Sequence, residues 1–148
     1  MSKPKMGKNV IIEGDVTFGE NVIIGHNVII YAGTKIGSNV IIQDNAVIGK
    51  QPTRAKASIL PETKQLPPAI IGSEVTIGTS SIIYANCDIG DNVFVADLAT
   101  VRERVSIGDY TIIGRGVAVE NDCTVGKRCK LDTNCYITAY SELGDYVF

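Results

Sequence analysis

A single histidine, His26, stands in the run Ile24-Gly25-His26-Asn27-Val28. Imidazole titrates near neutrality, so it is the side chain best suited to take a proton from an attacking hydroxyl or amine. Cations cluster in two places. Lys127, Arg128 and Lys130 form the densest basic turn, and Arg54 and Lys56 lie in a proline-rich stretch. Either group could hold the phosphates of a cofactor through charge-assisted hydrogen bonds. Four cysteines, Cys87, Cys123, Cys129 and Cys135, are the remaining reactive groups. No CxxC pair occurs among them, which argues against a metal site.

The elements that must position these groups announce themselves by a repeat. From Ile71 an aliphatic residue recurs every six positions: Ile77, Ile83, Ile89, Val95, Val101, Ile107, Ile113, Val119, Val125, Leu131, Ile137 and Leu143. A period of six is neither the 3.6 of a helix nor the two of a simple strand. It predicts one short strand and one turn per hexapeptide, stacked as a parallel β-helix. The aliphatic residue faces the interior. Two positions earlier, on the same face, sits a small or β-branched residue such as Val75, Ser81, Cys87, Ala99 or Thr111. All four cysteines take this inward slot, so they read as small buried hydrophobes and not as disulfides. Gly72, Gly90, Gly108, Gly126 and Gly144 recur every eighteen residues. Three strands and three turns therefore make one coil, with glycine at one corner.

The pattern also runs through the N-terminal part, over Ile12, Phe18, Ile24, Ile30, Ile36, Ile42 and Ile48. Asn9, Asn21, Asn27, Asn39 and Asn45, with Gly33, mark turns that need a left-handed residue. The spacing then breaks between Ile48 and Ile71. The intervening stretch holds Pro52, Pro61, Pro67 and Pro68, and its cations face Glu62 alone. Proline supplies no ladder donor, so residues 49–70 are expected to form a loop projecting from one corner. Residues 9–48 and 71–148 then belong to one β-helical domain of about seven triangular coils. Stepping by eighteen places Arg102 over Glu120, Arg104 over Asp122, and Tyr110, Arg128 and Tyr146 in one outer column. The next inward aliphatic residue falls due at position 149, one past Phe148, so a continuation is expected.

A net charge of −2 gives no general attraction for nucleic acid or an anionic membrane. No apolar run is long enough to span a bilayer, and the start, Met-Ser-Lys-Pro-Lys, lacks the apolar core of a signal peptide. A cytoplasmic location is expected.

This all-β pattern resembles the hexapeptide-repeat superfamily. The resemblance implies a left-handed coil, although the usual crossover rule favours the right-handed one. It further implies a homotrimeric acyltransferase that uses coenzyme A or acyl carrier protein, with active sites between neighbouring prisms. The stretches Ala96-Asp97-Leu98-Ala99-Thr100-Val101-Arg102-Glu103, Ile113-Gly114-Arg115-Gly116 and Tyr136-Ile137-Thr138-Ala139-Tyr140 are similar to members that acetylate nucleotide-linked amino sugars. On that resemblance acetyl-CoA is the donor and a sugar or sugar nucleotide the acceptor. Asp97, Arg102, Glu103 and Arg115 are then candidates to contact the sugar or a neighbouring subunit, and Lys127, Arg128, Arg54 and Lys56 to hold the donor. The segment around His26 is similar to that of the lipid A acyltransferases, which makes His26 the candidate general base; an acceptor amine that arrives unprotonated needs little base. No metal is expected. The alternative is a non-catalytic module that trimerises or regulates a larger enzyme.

Overall fold

The computed structural model describes residues 3–59 and 64–148, so the expectations placed on Pro61 and Glu62 lie outside the described residues. Three parallel sheets of seven strands each form the walls of a prism. The first wall stacks Lys5–Met6, Ile23–Ile24, Ile41–Ile42, Thr76–Ile77, Phe94–Val95, Ile112–Ile113 and Lys130–Leu131. The second runs from Ile11–Ile12 to Tyr136–Ile137, and the third from Thr17–Phe18 to Glu142–Leu143. Successive strands fall on successive walls, giving the seven coils that the period predicts. Pairing advances by one coil, as in Phe94↔Ile112 and Val95↔Ile113. The arrangement is consistent with the left-handed winding implied by the resemblance.

Strands of two residues form because each has one residue to bury and one to expose. Ile30, Ile48, Ile77, Ile83 and Ile113 show no solvent exposure, and with Val, Ala and Cys in the inward slot they build one continuous core. Where that slot is polar its hydrogen goes to a carbonyl. At Thr34 and Ser141 the carbonyl lies within the same coil, the two donating to Tyr31 O at 2.8 Å and Thr138 O at 2.7 Å. At Ser81, Thr111, Cys87 and Cys129 it belongs to the next coil. Ser81 Oγ donates to Ala96 O at 2.6 Å, Thr111 Oγ1 to Gly126 O at 2.7 Å and Cys129 Sγ to Gly144 O at 3.1 Å. Cys87 donates likewise to Arg102 O at 2.7 Å. Burial pushes its thiol up to about 12, so at neutral pH it is not a thiolate nucleophile. All four cysteines are free thiols.

The corners turn on left-handed residues, and asparagine is only part of the set. Asn27 and Asn45 have φ of 58° and 62°, but Leu98, Tyr110 and Tyr140 adopt 61°, 62° and 64°. A side chain there costs roughly 1–2 kcal/mol. Each such amide gains a carbonyl of the previous coil in return, as in Leu98 N to Thr79 O at 2.9 Å and Tyr110 N to Asp91 O at 3.0 Å. The eighteen-residue glycine has a different cause. A Cβ on Gly72 would lie 2.5 Å from Asp91 Oδ1 and 2.8 Å from the backbone of Gly90.

The outer faces differ. The third wall presents Thr17, Lys35, Asp88, Ser106, Thr124 and Glu142, with Ile70 as its apolar member. The first presents Ile23, Ile41, Phe94 and Ile112 along with Lys5, Thr76 and Lys130, and the second Ile11, Ile29, Val47, Ile82, Ala118 and Tyr136 along with Thr100. Two largely apolar walls therefore meet at the corner between them. No helix among the described residues is long and apolar enough to cross a membrane.

The insertion leaves from the corner between the second and third walls. The strand Val47–Lys50 shifts register where Lys50 meets Tyr84, and the core resumes at Ile70–Ile71, paired with Lys35–Ile36 as if nothing intervened. Gln51 clamps the base. Its Nε2 donates to Leu66 O and its Oε1 accepts from Leu66 N, both at 3.0 Å.

Ile83→Ala should cost about 2–5 kcal/mol, because it opens a void inside a closed column, whereas Ser106→Ala on the outer third wall should stay within about 0.5 kcal/mol. Denaturant unfolding of the two variants checks the inward assignment.

Candidate functional site

The corner between the first and second walls, here the first corner, carries a vertical row of Lys8, His26, Asp44, Thr79, Asp97 and Arg115, all exposed apart from the half-buried Thr79. The row is tied together by one rule: a side chain caps the backbone amide of the previous coil. Asp44 Oδ1 accepts from His26 N at 2.7 Å, and Asp97 Oδ1 accepts from Thr79 N at 2.9 Å. His26 obeys the same rule, its Nδ1 accepting from Lys8 N at 2.8 Å. With Nδ1 accepting, the neutral ring carries its proton on Nε2 and presents a donor outward. A shallow hollow of about 460 Å³ on the first-wall side is lined by Ile23, Ile41, Gln43, Asp44, Thr79 and Asp97. A second, of about 400 Å³, lies by Lys8, Asn9, His26 and Asp44. The sequence-predicted His26, Asp97 and Arg115 thus share one edge.

The other candidates lie elsewhere. Arg102, Glu103 and Arg54 meet at the second corner, between the second and third walls. There two sequence expectations change. Glu103 is not a polar surface turn: it is completely buried, with Arg102 Nε donating to its Oε1 at 2.9 Å. Arg102 therefore does not pair with Glu120; its guanidinium lies 4.4 Å from the centre of the Tyr84 ring, a cation–π distance. Arg54 is also largely covered, its Nη2 3.9 Å from Glu103 Oε2. Glu103 is accordingly closed to a sugar, and Arg54 is not a free phosphate ligand. The carboxylate column was legible in one place only: Arg104 binds Asp122 through two hydrogen bonds of 2.7 and 2.9 Å. That hydrogen bond, helped by Asn121, holds the Asp122 carboxyl below its ordinary value despite opposing burial, and the same bond raises Arg104.

Lys127 and Arg128 are exposed on the third corner, and Arg128 stacks 4.3 Å from the Tyr110 ring centre. Arg128, with Tyr110, Ile112, Lys130 and Tyr146, lines a cavity of about 360 Å³; Lys127 is not part of its lining. Aromatic rings beside cations fit the phosphates and flat ring of a nucleotide-bearing donor. Lys56 is exposed in the insertion. Among the described residues no group of three or more His, Cys, Asp or Glu side chains is placed to hold a metal ion.

A three-walled column built on six-residue repeats, with its polar row on one edge, defines a class. The chain belongs to the bacterial transferase hexapeptide (six repeats) family, whose pattern matches residues 3–37, 15–50, 68–103 and 88–121. Among solved structures it is similar to the UDP-N-acetylglucosamine acyltransferase of Francisella novicida, with a TM-score of 0.84 and 20% identity, over 94% of this chain and 54% of that one. It is also similar to a mutant perosamine N-acetyltransferase of Caulobacter crescentus in complex with CoA and GDP-perosamine, with a TM-score of 0.68 and 22% identity, over 84% of this chain and 50% of that one. At such identities the likeness is one of fold. The chain spans about half the length of each of these proteins. No curated protein matches it.

The Arg104–Asp122 pair makes a pH prediction. A carboxyl depressed in the folded state contributes stability above its unfolded value, near pH 4, and loses it as pH falls through the lower folded value. A double-mutant cycle of Arg104→Met and Asp122→Asn, followed by denaturant unfolding, should show full coupling at pH 7 and a progressive loss below about pH 4.

Proposed function

We propose that the protein is an acyltransferase that moves an acetyl group from acetyl-CoA to an amine or hydroxyl of a sugar or sugar nucleotide, as a cytoplasmic homotrimer. The observation that carries the proposal is the first corner. Its polar row of His26, Asp44, Asp97 and Arg115 is flanked on both sides by apolar walls, while the third wall is polar. Apolar walls of this extent favour coverage by a second copy, and a neighbouring prism laid along that edge would turn its shallow hollows into a closed cleft. Relatives of the same fold are named for acyl transfer to UDP-N-acetylglucosamine and acetyl transfer to perosamine, which supports the reaction class.

In this proposal the chain's residues have distinct tasks. Asp97 and Arg115 orient the sugar, one accepting and one donating hydrogen bonds. Lys127, Arg128 and Lys56 draw the phosphates of coenzyme A. Acyl transfer forms a bond from the acceptor nitrogen or oxygen to the thioester carbonyl carbon and expels the thiolate, while the acceptor gives up one proton. Because Nδ1 of His26 is occupied by Lys8 N, the ring offers Nε2–H as a donor to the carbonyl or to the sugar. The acceptor amine then enters unprotonated, and the proton it gives up as the new bond forms passes through solvent to the departing thiolate. That task differs from the general base expected from the resemblance. A second reading has its own support: because the chain matches about half of each relative, it would serve equally as a trimerising module of a larger protein.

Thiol release from acetyl-CoA in the presence of UDP- or GDP-linked amino sugars tests the activity. His26→Asn keeps an oxygen to cap Lys8 N, as Asp44 does for His26. If His26 donates and caps, its loss lowers the rate by up to about 10²–10³-fold but leaves the pH–rate profiles of wild type and His26→Asn alike in shape. An acidic limb present in wild type and absent from His26→Asn would instead make the imidazole the base. Silence with every acceptor would favour the trimerising module.

A further inference from the structure

The second corner holds a charged group that the proposed reaction does not use. In the column where other coils place Ala32, Ala85, Asn121 and Ala139, the chain has Glu103, and its side chain has no exposure. An ionised carboxylate removed from water demands partners for both oxygens. Oε1 has one in Arg102. Oε2 has no hydrogen-bond partner among the described residues, although Arg54 Nη2 and Arg104 Nη2 stand 3.9 and 4.0 Å away.

Among the described residues, one of the three guanidiniums makes no hydrogen bond to a carboxylate. Arg102 is held by Oε1 and by the Tyr84 ring. Arg104 is held by two bonds to Asp122. Arg54 makes no other ion pair within 4 Å among the described residues, although its charge also reaches the Asp122 carboxylate, and its Nε is itself buried without an acceptor. The unpaired donor and the unpaired acceptor thus belong to the two residues whose Nη2 and Oε2 stand 3.9 Å apart. Their owners differ in origin: Glu103 belongs to the prism, two coils beyond the point where the insertion leaves, and Arg54 belongs to the insertion.

We propose that Glu103 is the docking point that holds the insertion along the second corner, with Arg54 as its key. A shift of about one ångström brings Nη2 of Arg54 from 3.9 Å to the length of a charge-assisted hydrogen bond with Oε2. The Gln51–Leu66 clamp fixes the base of the insertion, and the Arg54–Glu103 pair fixes its first arm. Arg102 and Arg104 prepare the pocket by holding Glu103 ionised and in place. The latch is a property of the folded chain and stands whether or not the protein transfers an acyl group.

Limited tryptic digestion tests it, with cleavage after the exposed Lys56 and Lys64 followed by mass spectrometry. Arg54→Ala should raise the cleavage rate at these two sites about tenfold or more, with the thermal midpoint of the prism unchanged. Glu103→Gln should have the same effect, and the double variant should add nothing, since the two share one interaction. Cleavage of Arg54→Ala at the wild-type rate, or additive effects in the double variant, would overturn the proposal. Should Glu103→Gln fail to fold, hydrogen exchange at the Leu66 amide in Arg54→Ala decides: faster exchange supports the latch and unchanged exchange refutes it.

Discussion

The fold rests on one coincidence of lengths: the backbone ladder and the side-chain stack share a repeat. Each amide of a strand reaches the carbonyl of the next coil, as in Ile11 N to Val28 O and Ile112 N to Cys129 O, both at 2.9 Å. That ladder holds coils at about 4.8 Å, which is close to side-chain contact between one inward aliphatic residue and its equivalent above. Neither part suffices alone. Two-residue strands make too few hydrogen bonds to persist singly, and a column of isoleucines without the ladder would have no register. Everything exposed, including the first-corner row, inherits its spacing from this match.

The same spacing explains why corner chemistry is so uniform. One coil apart, a side chain can reach the amide of the turn below, and Asp, Ser and His all do so. Ser38 Oγ accepts from Glu20 N, Asp91 Oδ1 from Ser73 N and Asp109 Oδ1 from Asp91 N, at 2.8–3.0 Å. A group that looks catalytic by type can therefore be structural by position, and His26 does the work of an aspartate at Lys8 N.

How much of this could be read from sequence follows from how local each feature is. The walls, the inward cysteines and the corner glycines obey a fixed step, so they were legible. So was the Arg104–Asp122 pair, eighteen residues apart. The capping role of His26 has its own mark in the sequence: Asp44 follows it by eighteen and Asp97 stands in the same row. The left-handed corners at Leu98 and Tyr110 carry no asparagine to mark them, because the carbonyl of the previous coil rewards any residue there. The partners of Glu103 had no mark in the sequence: Arg54, 3.9 Å from its Oε2, arrives from a segment outside the repeat, and no spacing rule connects the two.

The insertion is spliced between Lys50 and Ile70, yet Lys35 and Ile36 meet Ile70 and Ile71 in register across it. The prism thus treats a corner as a port. New chain can be grafted there without re-solving the packing problem inside, since the interior sees only the residues on either side of the joint. Architecture and recognition are in this way uncoupled. An unchanged shaft can be fitted with new appendages, and each needs only a foothold, such as a single buried acid, on the outside of the column.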